Sequence, residues 1–337
     1  MKKFRDFFSK KYVWAIVYAF LLSGMVVAVL LDTFVISHKI RVAAVSMSSE
    51  GVTGESTEGQ EDGNGQSDET TSSSTSSGTT ALTAESSQQV EDSVVSEPVI
   101  TENSYESQDL SIHITTQREY ETQIYMVDVQ VSSSTALRTA FAENSYGRNI
   151  KETTSQMAEE NQAVLVINGD YYGFRNQGFV LRNGVLYRDT ANAGTQALTI
   201  DSNGDFDIVE EEQTSAQQLL DSGVQQVLSF GPALLQEGEI SVSENQEVGQ
   251  AMQSNPRTAI GQIEENHYLI IVTDGRTTES DGVSLYELAE VFQEAGAETA
   301  YNLDGGGSST LWFNGQVLNQ PTSKSGERLV SDIVYFR

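Results

Sequence analysis

Residues Tyr12 to Leu31, YVWAIVYAFLLSGMVVAVLL, make an unbroken run of 20 uncharged and mostly apolar positions, and no other stretch restricts this chain's folding so strongly. As a helix rising ~1.5 Å per residue, the run spans about the 30 Å hydrocarbon core of a bilayer. A membrane-spanning helix over 12–31 is the expectation. The run is longer than the ~7–15 residues of a signal-peptide apolar region, and no A-x-A site closes it, which favours an uncleaved anchor over a cleaved leader. Lys2, Lys3, Arg5, Lys10 and Lys11 lie ahead of it. The positive-inside bias then leaves residues 1–11 as a basic cytoplasmic tail and sends everything after Leu31 to the exterior.

Beyond Arg41 no Lys or Arg occurs until Arg118, and Ser, Thr, Gly, Glu and Gln dominate, as in ETTSSSTSSGTT. Such composition lacks the apolar groups that offset ordering entropy. Residues 32–109 are therefore expected to be a disordered linker, a solvated tether holding a domain away from the membrane. Specific adhesion or O-glycosylation is the alternative for this stretch. Residues 110–337 are expected to be the globular domain.

The formal charge of −29 argues against nucleic acid as a partner, since binding a phosphate backbone rests on clustered Lys and Arg. From Leu110 onward only 12 basic side chains stand against 32 acidic ones, so any anionic ligand must be held by a few local donors. With no cysteine in the chain, disulfides, thiolate metal sites and cysteine nucleophiles are all excluded.

From Leu110 the apolar pattern turns strand-like. QIYMVDVQV (123–131) reads as a strand and AVLVI (163–167) as a buried one. Asn183-Gly184 and Asn314-Gly315, each between β-prone runs, predict type I′ hairpins, whose central residues both need positive φ. LTIDSNGDFDIV predicts a third hairpin; its acidic spacing does not meet that of a calcium loop. SLYELAEVFQEAGA predicts a helix with a Ser284/Glu287 capping box and a stop at Gly296, and a second helix is expected over about 150–161. Hairpin-linked strands with few helices imply an α+β fold, a mixed β-sheet core with several hairpins.

The same local form then recurs. HYLIIVTDGR ends a strand at Asp274, ETAYNLDGGGSS ends one at Asn302 and Asp304, and AVLVINGDYYGF ends one at Asn168, Gly169 and Asp170. One apolar strand followed by Asp beside Gly is an ordinary turn, but three predict a shared cleft at the strand ends, the usual ligand edge of such sheets. Gly305, Gly306 and Gly307 would let the backbone approach a ligand and aim N–H groups at an oxyanion, with Ser308 and Ser309 adding hydroxyls, although a Gly triplet alone also serves a flexible turn. Arg257, in NPRTAIG, could grip a phosphate with its planar guanidinium, or form a surface ion pair in so acidic a protein. His113 and His267 adjoin no polar motif, and GGGSST does not satisfy G-x-S-x-G. Asp170, Asp274 and Asp304 without histidine do not support a magnesium or calcium site, so no metal or cofactor is expected.

INGDYY, FGPALL, NPRTAIG, IIVTDGR, SLYELAEVFQEAGAETAYNLDGGGSSTL and RLVSDIVYF, in this order, resemble the phosphodiester glycosidase domain family over roughly 110–337. The resemblance implies hydrolysis of a sugar-1-phosphodiester, of the GlcNAc-1-phosphate type, at the anomeric carbon, within cell-surface polysaccharide or wall-polymer metabolism. It implies a pocket of Asn168, Asp170, Arg257, Asp274, Arg276, Asn302 and Asp304 with the Gly305–Ser308 backbone, and catalytic duty among Asp170, Asp274 and Asp304. The expected division has Asp304 or Asp170 serving the anomeric carbon or its water while Arg257 clamps the phosphate. Two other functions fit the same residues. One is a non-catalytic surface carbohydrate-binding or scaffolding protein; the other is a membrane-attached phosphotransferase using a sugar acceptor in place of water.

Overall fold

The computed structural model describes residues 13–40, 97–246, 254–324 and 326–337. The basic tail 1–11 and most of the expected linker, 41–96, lie outside the described residues. Helix α1, Val13–Phe34, coincides with the apolar run. It is long and apolar enough to cross a membrane, and nearly all its side chains are uncovered by protein.

Three β-sheets meet on one core. The largest has nine strands and is centred on the hairpin Leu110–Glu119/Thr122–Val131. From this hairpin the sheet continues through His267–Thr273 and Thr258–Glu264 to Thr299–Asn302. On the hairpin's other side, Ser104–Glu106 pairs with Ser111–His113, and Val99–Ile100 pairs in turn with Tyr105–Glu106. Pairing in this sheet thus reaches Val99, upstream of the expected boundary at Leu110, and His38–Lys39 at the start of the expected linker also pairs, with Gly147–Arg148. The Ser- and Glu-rich composition ahead of Leu110 hides an edge hairpin that Tyr105 pins to the core.

A five-stranded sheet carries the Asn183-Gly184 hairpin and the Gln196–Asp201/Phe206–Glu210 hairpin. The other five-stranded sheet runs Gln316–Val317, Leu311–Phe313, Leu165–Asn168, Asp332–Phe336, Leu137–Phe141. Both Asn-Gly turns have the expected positive φ, 50° and 73° at Asn183 and Gly184, 41° and 93° at Asn314 and Gly315.

Each sheet turns one face to the common core and the other to a helix. In Leu165–Asn168 the alternation is direct: Leu165 and Ile167 enter the common core, while Val166 packs with Met157 and Ala158 of α2, Thr154–Glu160. Helix α3, Ala216–Asp221, covers the Asn183-Gly184 sheet, and α4, Leu285–Glu294, covers the large sheet with Leu285, Leu288, Ala289 and Phe292. The Ser284/Glu287 capping box forms as expected. The second expected helix is shorter than 150–161, because Thr153 caps it and Asn161 closes it.

Candidate active site

His267–Thr273 and Thr299–Asn302 are both antiparallel to the Thr258–Glu264 strand between them, so Asp274 and Asp304 emerge at one sheet edge. The Leu165–Asn168 strand of the neighbouring sheet delivers Gly169 and Asp170 to the same place, where the Asp304 N–H donates to Gly169 O at 3.2 Å. Asn168 joins the two sheets. Its Nδ2 donates to Asp304 O (2.6 Å), while its Oδ1 accepts from Thr258 Oγ1 (2.8 Å) and Thr310 N (3.2 Å). Asn168 is therefore fully buried, a backbone staple beneath the cleft.

Asp170 also lies beneath it. Its Oδ2 accepts from Arg182 Nη2 and Ser229 N, both at 2.8 Å, and its Oδ1 from Tyr172 N at 3.1 Å. Arg182 Nη2 reaches Asp332 Oδ2 as well, at 3.0 Å. All three side chains are sealed from solvent. Burial, then the neighbouring Asp170 charge, pushes Asp332 up to about 7. Ser229 bridges this cluster to buried Glu211 through its hydroxyl.

Above the cluster opens a cleft of about 390 Å³ lined by Lys151, Gly169, Tyr171, Phe174, Asp304, Ser308, Arg328 and neighbouring residues of 323–331. Among the described residues, Asp304 is the sole carboxylate lining it. Burial raises the Asp304 pKa, opposed by a Ser308 hydrogen bond, the Arg328 and Arg175 charges and the Gly305 N–H. Arg328 Nη1 also donates to Ser308 Oγ (3.3 Å). Arg175 is fixed by its Nη1 bond to Ser229 O (3.2 Å) and by the faces of Phe230 and Tyr171, 4.6 and 5.7 Å from the two ring centroids. Tyr171, held at φ 71°, stacks on Phe174 at 4.6 Å and leaves an aromatic surface at the mouth.

The glycine loop works differently from its expected role. Gly305 N–H is spent on the Asp304 carboxylate and Gly306 N–H on Pro256 O (2.8 Å), so these donors do not converge on an external oxyanion. The glycines instead admit guanidiniums: a Cβ on Gly307 would sit 2.6 Å from Arg328 Nη2, and one on Gly306, at φ 63°, would sit 3.2 Å from Arg276 Nη1. Arg276 is exposed and bonds Asn255 Oδ1.

The remaining predicted residues share the edge without lining this cleft. Arg257 is buried, its Nε on Val283 O (3.1 Å). Asn302 Nδ2 donates to Gly231 O (2.8 Å), holding the FGP segment behind the site. Asp274 opens onto a separate cavity, where Gln320 N (2.7 Å) and Tyr125 Oη (3.3 Å) bond it and burial raises its pKa. Among the described residues no three His, Asp or Glu side chains gather as a metal ion would need.

Lys151, Tyr171, Arg175, Arg182, Arg328 and Asp332 are not among the residues expected from the sequence. A signal existed for several. Arg175 follows INGDYYGF, and Arg328 and Asp332 both stand in RLVSDIVYF. In a domain with only 12 basic residues from Leu110 on, three of them, Lys151, Arg175 and Arg328, gather around one carboxylate.

Fold and cleft together define an α+β domain that presents one carboxylate within a cationic pocket of sugar-sized volume. The chain belongs to the phosphodiester glycosidase family, whose profile matches residues 161–337. Among curated relatives, the SPbeta prophage-derived uncharacterized protein YomE of Bacillus subtilis is 30% identical over 194 residues, 56% of this chain and 30% of that protein. N-acetylglucosamine-1-phosphodiester alpha-N-acetylglucosaminidase of Mus musculus is 36% identical over 110 residues, covering 31% of this chain and 21% of the enzyme. The Homo sapiens enzyme is 29% identical over 188 residues, 51% of this chain and 36% of the enzyme. The matches thus span well under half the length of these relatives. Among solved structures, the catalytic domain of the zebrafish enzyme, auto-inhibited by its pro-peptide, aligns with a TM-score of 0.54 at 21% identity, covering 68% of this chain and 83% of that one. A hypothetical protein from Synechocystis aligns at 0.51 and 15% identity, covering 68% and 63%. At such identities the structural likeness concerns the fold.

Proposed function

We propose that the protein is a membrane-anchored hydrolase that cleaves a sugar-1-phosphodiester of the GlcNAc-1-phosphate type at the anomeric carbon, with its catalytic domain outside the cell and its N-terminus in the cytoplasm. The observation that carries this reading is Asp304, a single carboxylate of raised pKa, set among Arg175, Arg328 and Lys151 at a cleft floored by Gly169 and Ser308.

Glycosidases commonly need two carboxyls because an alkoxide leaving group must be protonated. A phosphomonoester, with a second pKa of about 6, leaves with little protonation. One carboxylate and a set of cations therefore suffice. In this scheme Asp304 takes a proton from water, the water oxygen bonds to the anomeric carbon, and the bond from that carbon to the phosphate oxygen breaks with its electron pair going to phosphate. Arg328, supported by Lys151, holds the phosphate and stabilises the charge that develops there. This assigns to Arg328 the clamp expected of Arg257, whose Nε is committed to Val283 O behind the cleft. Tyr171 offers the sugar an apolar face.

The test is release of free GlcNAc from a GlcNAc-1-phosphodiester by the full chain in detergent. Wild type should release sugar and Asp304→Asn should not, with an unchanged circular dichroism spectrum. Binding of the ester without release by wild type would select the carbohydrate-binding alternative. Release only when a second sugar is supplied would select the phosphotransferase.

A further inference from the structure

The segment that follows α1 is fixed to the domain. Val35 and Ile36 N–H close the helix on Leu31 O (2.9 and 2.8 Å), and His38 and Lys39 then pair antiparallel with Arg148 and Gly147. Ile40 N–H donates to Tyr146 O (2.9 Å), and Asn149 Nδ2 reaches back to Thr33 O (2.8 Å) and Ile36 O (3.1 Å). Lys39 Nζ pairs with Glu143 at 2.9 Å. Gly147 is shaped for this strap, since a Cβ there would meet His38 O at 2.1 Å.

The stretch expected to hold the domain away from the membrane cannot set its height, because both flanks are attached to the same domain, Ile40 through Tyr146 and Val99 through Glu106. The height is set by residues 35–37. At no more than ~3.5 Å per residue, His38 lies within roughly 14 Å of the helix end. Arg148 lies about 5 Å across the pair from His38, and Lys151, on the cleft, follows Arg148 by three residues, at most roughly 10 Å further. Leu329 and Tyr171, 43% and 36% exposed, stand at the same cleft as apolar groups beside Lys151 and Arg328. A mouth that combines exposed apolar and cationic groups suits the boundary between lipid and phosphate headgroups.

We propose that the strap holds the cleft at the bilayer surface, so that its substrates are sugar-1-phosphodiesters carried on lipids of the same membrane. This rests on the hydrolase reading above and on α1 spanning the bilayer. A sugar phosphate on a lipid presents its phosphodiester in the headgroup layer, within reach of a cleft restrained to that height. A wall polymer far from the membrane does not reach it.

The experiment uses the full chain reconstituted in phosphatidylcholine vesicles. Three substrates share one reacting group: GlcNAc-1-phosphate esterified to a long-chain alcohol in the same vesicles, the same lipid in protein-free vesicles mixed in, and the soluble methyl ester. Two variants probe the strap. One inserts about twenty Gly and Ser residues after Ile36, adding a flexible reach of ~25 Å. The other, Asn149→Gly with Lys39→Glu, removes the amide bonds and the ion pair while tolerating φ 57° at position 149.

Wild type is expected to cleave lipid in its own membrane at least about tenfold faster than lipid in other vesicles, and both variants should narrow that ratio severalfold by gaining activity across vesicles. Soluble ester should be cleaved equally by all three proteins. An equal same-to-other ratio in wild type and spacer variant, or soluble ester preferred over embedded lipid, overturns the inference and leaves the hydrolase reading standing. Release from none of the substrates overturns both.

Discussion

Beneath the cleft, two buried carboxylates share one guanidinium, and their hydrogen-bond partners differ. Asp170 receives Arg182, Ser229 N–H and Tyr172 N–H, whereas Asp332 receives Arg182 and the Ser331 hydroxyl at 3.2 Å. Asp332 thus has fewer donors, on a guanidinium that it shares with Asp170. Burial and the Asp170 charge accordingly lift Asp332 from 3.8 to about 7. Its folded pKa stands above its unfolded one, so between these values the native state binds more protons. Stability from this group is greatest at low pH and declines as pH rises through about 7. At ~1.4 kcal/mol per unit, the full decline is at most about 4 kcal/mol.

Asp332→Asn gives the site a permanently neutral side chain of the same shape. At pH 8 the variant avoids the cost of the buried charge but carries an extra amide donor, whose unsatisfied burial costs about 1–3 kcal/mol. The expected outcome is a variant about 1–3 kcal/mol more stable than wild type at pH 8 and no more stable at pH 5. Urea unfolding of the full chain in detergent micelles, followed by fluorescence at both pH values, measures this. Asp274, Asp304 and Glu211 have pKa values raised by burial and give wild type a slope of the same sign, so the comparison with the variant isolates Asp332. A variant less stable than wild type at pH 8, or one with an undiminished pH slope, would show that Asp332 is ionised in the native state and would refute this account of the cluster.

Three further outcomes are expected. If Asp304 works as a base, turnover should rise with pH along a limb displaced above the ordinary carboxylate range, in keeping with its raised pKa, and a pH–rate profile of kcat/KM locates that limb. Arg328→Lys should lower kcat by about 10²-fold without unfolding the domain, because an ammonium cannot serve phosphate and Ser308 Oγ together as the planar fork does; unchanged kcat would remove Arg328 from the leaving-group role. Asn168→Ala should cost about 3–5 kcal/mol in denaturant unfolding, since it strands the buried Thr310 N–H and the Asp304 carbonyl at about 1–3 kcal/mol each and adds a void.

What the sequence discloses follows from the range over which each signal acts. Helix α1, the Asn-Gly hairpins and capped α4 are determined by residues within a few positions of one another, and all form as read. Helix α3 was within reach by the same rule, since Ser215 and Gln218 make a capping box ahead of Leu219 and Leu220. The three strand ends come to one edge as read, but not to a shared cleft: of their carboxylates only Asp304 lines it, Asp170 being sealed and Asp274 opening onto another cavity.

The direction each polar side chain takes was not legible, because it depends on partners far along the chain. Asp170 and Asp304 look alike as sequence, yet Asp170 meets Arg182 and the distant Ser229 N–H and is sealed, while Asp304 has Ser308, the Gly305 N–H and the Arg328 and Arg175 charges around it and lines the cleft. Arg257 and Arg328 differ in position for the same reason: Arg257 is buried, whereas Arg328 lines the cleft. The backbone beside Arg257 offers the Val283 carbonyl, whereas Arg328 passes over Gly307, where the missing Cβ leaves room for a guanidinium to reach Ser308. The glycine triplet after Asp304 therefore has its physical meaning in a residue some twenty positions later. A substitution as small as Gly307→Ala should displace Arg328 and impair turnover even though no hydrogen-bonding group is removed.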